Sequence, residues 1–89
     1  MTLEKKYLEE VEKVLKDPIC NIEGIEKITE ITPKLRLEED LGLDSLDRCK
    51  FLILLEEKMG ITIPEKNNSK FKTVGDYVNY LKRYNPKTY

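Results

Sequence analysis

Ser45 is the side chain around which any chemistry in this sequence has to be organised. It lies in the run Glu39-Asp40-Leu41-Gly42-Leu43-Asp44-Ser45-Leu46-Asp47. Asp44 and Asp47 have nearly the spacing of a capping box, in which two side chains three positions apart each satisfy the other's backbone N–H. This predicts a helix that starts at Ser45, with Asp44 as its N-cap. A hydroxyl in a first helical turn stands beside free N–H groups and the positive end of the helix dipole, which suits a phosphate carried on its oxygen. At an exposed site the dipole contributes about 0.3–1 kcal/mol to such a phosphate. Ser45 also reads as no more than a good helix-starting residue, and spacing alone leaves both readings open.

Ser45 has no means of acting as a nucleophile by itself. The 89 residues contain no histidine, and the nearest ionisable neighbours of Ser45 are two carboxylates, so no base of suitable strength stands ready to take its proton. The same absence removes the Ser-His-Asp and Cys-His arrangements and nearly every zinc site. An independent hydrolase is not expected, and Ser45 makes better sense as a group that another protein modifies. Cys20 and Cys49 form no C-x-x-C pair, and are expected to be two structural thiols in a reducing compartment. The acids from Asp40 to Asp47 lack the ligand order of an EF-hand loop. Asn67-Asn68-Ser69 fits a glycosylation sequon but is accompanied by no secretory signal, and is set aside.

The net charge of -1 conceals an asymmetry: of 17 acids and 16 bases, 16 acids and 10 bases fall in residues 1–65, and Asp76 is the one acid after that. This is not a uniform nucleic-acid footprint. Between Arg36 and Arg48 stand Glu38, Glu39, Asp40, Asp44 and Asp47 with no base among them. Such a cluster can attract a basic partner, or it can be a solvated loop leading into the acid-favouring first turn of a helix. The N-terminus has no apolar leader segment, and no stretch approaches the length of a membrane span. A cytoplasmic protein, monomeric and independent of nucleic acid and membrane, is expected.

The elements that must position Ser45 follow from periodicity. Leu3, Tyr7, Leu8, Val11, Val14 and Leu15 make one helical stripe, which predicts a helix over about 3–16, capped by Thr2 and stopped by Asp17-Pro18. Residues 17–43 form a long connection that packs isoleucines, with room for a helical turn. It reads as a crossover over the core, ordered more by Ile and Leu than by hydrogen bonds. The helix begun at Ser45 is expected to end at Met59, with Gly60 in the left-handed position beyond it. Within it Cys49, Leu52, Leu55 and Met59 read as the core stripe. Leu46, Lys50, Ile53 and Glu57 fall on another side, either an exposed contact face or the second side of a central helix. A short helix over about 65–71 is anchored by Phe71. A last one over 74–84, capped at Thr73, places Val74, Tyr77, Val78, Leu81 and Tyr84 inward and stops at Asn85-Pro86, leaving a frayed tail. The fold class is all-α, a small bundle of three main helices and one short one, in a single domain spanning 1–89.

At this point the sequence resembles the acyl carrier protein family. The run from Glu39 to Asp47 is similar to that family's D-L-G-x-D-S-L-D signature, and the likeness continues through Leu55-Glu56-Glu57, Ile63-Pro64-Glu65 and Thr73-Val74. It covers about the whole chain, most specifically residues 35–65. The resemblance implies the four-helix fold of those carriers. It also implies that Ser45 receives 4′-phosphopantetheine from coenzyme A through a phosphopantetheinyl transferase, and that the arm bears an acyl group as a thioester. Asp44, Leu46 and Asp47 match positions shown to the transferase and partner enzymes, and Ile53, Glu56 and Glu57 match recognition positions on the second helix. A carrier of this kind is a substrate of its partners, not an enzyme, and needs docking that is fast and weak, which complementary charge around a small apolar centre supplies. The cysteines need no chemical role, because the reactive thiol belongs to the arm.

Three basic residues depart from the pattern. Arg48, Lys50 and Lys58 interrupt a helix that is usually strongly acidic in carriers of housekeeping fatty-acid synthesis, and Lys50 stands where glutamate is common. The resemblance therefore implies a carrier for a dedicated pathway of specialised lipid or polyketide synthesis more than the general fatty-acid carrier. Two alternatives share the fold. One is an aminoacyl or peptidyl carrier, whose signature Leu43 does not follow. The other is an unmodified interaction module, which the intact Asp44-Ser45-Leu46 argues against.

Overall fold

A computed structural model describes residues 3–84. It contains α1 (Leu3–Leu15), a 3₁₀ turn (Ile25–Lys27), α2 (Ser45–Met59), α3 (Glu65–Asn68) and α4 (Val74–Tyr84). Among the described residues there is no strand, and a single antiparallel bridge pairs Arg36 with Thr73. Thr2 as a cap, Asn85-Pro86 as a stop and the tail after it lie outside the described residues.

α1 buries Tyr7, Val11, Val14 and Leu15 and packs mainly against α4, less extensively against α2. Its last turn tightens as Asp17 N–H bonds the Val14 carbonyl (3.2 Å), and the Asp17 carboxylate accepts the Ile19 N–H (2.9 Å). Pro18, which has no N–H to offer, follows at once. α4 turns Val74, Tyr77, Val78 and Leu81 inward. Tyr84, expected on the same stripe, is instead 54% exposed, because the helix outruns the core there, and its ring leans on Tyr80 with centroids 4.7 Å apart.

In α2 the inward face is Phe51, Leu54, Leu55 and Met59, a correction to the expected stripe of Cys49, Leu52, Leu55 and Met59. Cys49 is exposed and Leu52 half-buried. Residues two apart on a helix point about 200° away from each other, so once Phe51 faces the core Cys49 cannot. Phe51 decides the matter because its ring meets Tyr77 edge to face at 5.0 Å, and Phe71 meets Tyr77 from another side at 4.9 Å. Aromatic pairs in this geometry add about 0.5–1.5 kcal/mol beyond the area they bury.

The connection over 17–43 buries Cys20, Ile22, Ile25, Ile31, Leu37, Leu41 and Leu43, as its isoleucines suggest, although Ile19 is 72% exposed. It is held by more hydrogen bonds than expected. Leu37 N–H donates to the Lys72 carbonyl, and Val74 N–H donates to the Leu35 carbonyl, both at 2.9 Å. The approach is so close at its end that a Cβ on Gly75 would lie 2.9 Å from the Pro33 oxygen. Here glycine is required by contact, not by backbone angle.

α3 ends at Asn68, not near Phe71 as expected. Lys70 and Phe71 make tight i→i−3 bonds to Asn67 and Asn68 (3.0 and 3.1 Å), which turn the chain so that Phe71 reaches Tyr77.

The two thiols differ in consequence. Cys20 is fully buried, and burial, with Asp17 nearby, pushes its thiol pKa up, so it stays protonated at neutral pH. In the native protein a thiol reagent such as DTNB is expected to titrate Cys49 rapidly. Cys20 should react only as fast as the protein opens; two equivalents released at once under native conditions would contradict this burial.

Candidate functional site

The start of α2 is built as its residues predict. The Asp44 carboxylate accepts the Asp47 N–H (2.8 Å) and the Asp47 carboxylate accepts the Asp44 N–H (3.2 Å), closing the capping box. The far end closes with Gly60 at φ 68°, its N–H on the Glu56 carbonyl, and left-handed backbone of this kind is cheapest for glycine. Asp44→Ala is expected to cost about 1 kcal/mol, since it removes the cap acceptor; a urea midpoint unchanged from wild type would show that the box contributes nothing.

Ser45 is exposed at the head of this helix. Its hydroxyl is in no hydrogen bond, and the N–H groups of Ser45 and Leu46 have no acceptor among the described residues. A free hydroxyl beside two unclaimed donors is an arrangement into which a phosphodiester fits. Among the described residues no group of three or more His, Cys, Asp or Glu is placed to hold a metal ion.

The expected acidic cluster does not persist as one patch. Arg36 pairs with Glu39 and holds the Asp40 carboxylate through its Nε at 3.2 Å, which keeps the Asp40 pKa below the ordinary aspartate range. Glu38 faces Arg48 at 3.4 Å. Among the described residues Asp44 and Asp47 remain without a base, and the fold adds two acids that no local pattern would place there. Glu23 and Glu26, from the connection, line a concavity of about 440 Å³ together with Asp44 and Asp47. No spacing rule links residues 23 and 47; only the return of the connection onto α2 does.

The outer face of α2 is exposed, which decides between its two readings. Leu46 is 64% and Ile53 52% exposed, Glu57 is exposed and Lys50 half-buried, with no ion pair on Lys50 among the described residues. Glu56 is different: its carboxylate accepts the Ile63 N–H at 2.6 Å, tying α2 to the link before α3. Arg48, half-buried, donates to the carbonyls of Asn68 (3.3 Å) and Phe71 (2.8 Å), while its Nε is buried without an acceptor. It thus fastens the end of α3 to α2. The sequence marked Arg48 only as an interruption of an acidic face.

A family model described as the phosphopantetheine attachment site matches residues 13–81. An acyl carrier protein from Rickettsia bellii (strain RML369-C) is 38% identical over 73 residues, which cover 82% of this chain and 83% of that one. The chain belongs to the acyl carrier protein family. Another acyl carrier protein, from Borreliella burgdorferi (strain ZS7), is 49% identical over 57 residues, 64% of this chain and 71% of its own. The fold matches a solved Mycobacterium tuberculosis structure assigned as an acyl carrier protein with a TM-score of 0.66 at 25% identity, over 91% of this chain and 96% of that one. Acyl carrier proteins are carriers, not enzymes, and membership implies a covalently attached 4′-phosphopantetheine arm. The family works with phosphopantetheinyl transferases and synthetic enzymes. Among the described residues no helix of this acyl carrier protein is long and apolar enough to cross a membrane.

Proposed function

We propose that Ser45 is the attachment point of the 4′-phosphopantetheine arm, that residues 1–89 act as one monomeric carrier unit in the cytoplasm, and that the carrier serves a dedicated pathway of specialised lipid or polyketide synthesis. The observation that carries the first point is the exposed, unbonded Ser45 hydroxyl at the head of α2, with the Ser45 and Leu46 N–H groups free beside it. When bound, the arm supplies the thiol on which an acyl group rides as a thioester. The chain's own part is to hold Ser45 at a rigid helix start, to offer free N–H groups to the phosphodiester, and to present Leu46 and Ile53 as a small apolar centre flanked by Asp44, Asp47 and Glu57. Docking on such a surface is steered by charge and released quickly. Intact-mass measurement after incubation with coenzyme A and a broad-specificity transferase should show the gain of one phosphopantetheinyl group, mapped to Ser45. A folded sample that gains nothing overturns the assignment.

Lys50 supports the dedicated role, because a cation on the docking face disfavours basic partner patches. Lys50→Glu is expected to raise the transfer rate with a general fatty-acid synthase enzyme, and an unchanged rate would count against the specialised reading.

A further inference from the structure

The α3–α4 side of the protein carries charge that no described residue neutralises. From the start of α3 to the end of α4, residues 65–84 include Lys66, Lys70, Lys72, Lys82 and Arg83 against two acids, Glu65 and Asp76. The Asp76 carboxylate is committed to the backbone N–H groups of Lys72 (2.7 Å) and Thr73 (3.0 Å). None of the five cations has an ion pair among the described residues, whereas Lys13, Lys16, Arg36, Arg48 and Lys58 all do.

The same side is concave and aromatic. An open groove of about 610 Å³ has Phe71, Tyr80, Tyr84, Lys82 and Arg83 in its lining, together with the backbone-bonded Asp76. Phe71 and Tyr80 have centroids 5.7 Å apart, and Phe71 rests on the fully buried Tyr77, so the groove is anchored in the core. Lys66, Lys70 and Lys72 are exposed chain neighbours of Asn67 and Phe71. No residue of α2 lines the groove.

We propose that this face is a second docking surface, separate from α2, and that its partner is an acidic protein segment bearing one aromatic or long apolar side chain. The charges select the acids, and the aromatic groove takes the apolar side chain, where an anchor in a desolvated pocket provides most of the binding energy. The basic surface is also short. Arg48 touches the carbonyls of Asn68 and Phe71 on one side and Glu38 on the other, so the acidic loop begins one arginine's reach from the groove. A compact acidic segment fits within that boundary, while an extended polyanion such as RNA would run on into the acids. The proposal is independent of Ser45 and of any arm.

The test uses the full-length ¹⁵N-labelled chain, with and without Ser45→Ala. It is titrated with a short synthetic peptide of glutamates around one central tryptophan, and with its glutamine counterpart. Amide shifts are expected over residues 66–84, absent with the glutamine peptide and diminished by salt. Lys82→Glu combined with Arg83→Glu is expected to weaken binding about tenfold or more, as removal of steering charges does; Lys70→Glu with Lys72→Glu provides a second variant outside α4, and circular dichroism checks the fold of both. Shifts centred on Leu46 and Ile53, equal binding of the glutamine peptide, no binding, or tighter binding to single-stranded RNA or phosphatidylglycerol vesicles would each overturn the proposal.

Discussion

Ser45→Ala is expected to remain folded and to accept no phosphopantetheinyl group at all. The hydroxyl makes no hydrogen bond among the described residues and is exposed, so its loss should change stability by no more than about 0.5 kcal/mol, the range of surface substitutions without a structural partner. The capping box beside it uses Asp44 and Asp47, which stay. Intact-mass measurement and a urea melt on the same sample separate the two effects. Asp44→Ala should behave in the opposite sense, losing stability while keeping the acceptor hydroxyl. If Ser45→Ala unfolds the protein, or still gains the arm, the placement of Ser45 outside the folding network and at the point of attachment is wrong.

Phe51→Ala should be the most damaging single truncation in α2. Its side chain is fully buried and its ring packs on Tyr77, whose hydroxyl in turn donates to the Asn68 side chain at 2.5 Å. Truncating a buried phenylalanine costs about 3–5 kcal/mol, while a domain of this length has a total stability of roughly 4–13 kcal/mol on a per-residue scale. A large drop in the melting temperature or an unfolded protein is therefore expected. Ile53→Ala, two residues away on the opposite side of the helix and 52% exposed, is the matched control, expected to be near neutral in stability. Equal losses for the two would mean that α2 faces the core differently.

Much of the α2 start was legible because capping is local. Asp44, Ser45 and Asp47 interact across three positions, and Gly60 needs only its own backbone angle, so helix boundaries and the exposed serine follow from residue types in order. The regular stripes of α1 and α4 were legible for the same reason, up to Tyr84, where the helix passes the edge of the core. α2 was not, because apolar residues surround it. Leu46, Cys49, Phe51, Leu52, Ile53, Leu54, Leu55 and Met59 occupy nearly every direction, and periodicity cannot rank them.

The sequence by itself determined the helix order, the signature around Ser45 and the absence of any imidazole chemistry, since these depend on composition and on neighbours a few residues apart. The tertiary structure alone decided that Phe51 and not Cys49 faces inward, that α3 stops at Asn68, and that Arg36 and Arg48 neutralise three of the five acids in the cluster. It also brought Glu23 and Glu26 to the head of α2 and left the α3–α4 cations without ion pairs among the described residues. Each of these is a pairing between residues far apart in the chain, set by which surfaces pack together, and long-range packing leaves no local spacing to read.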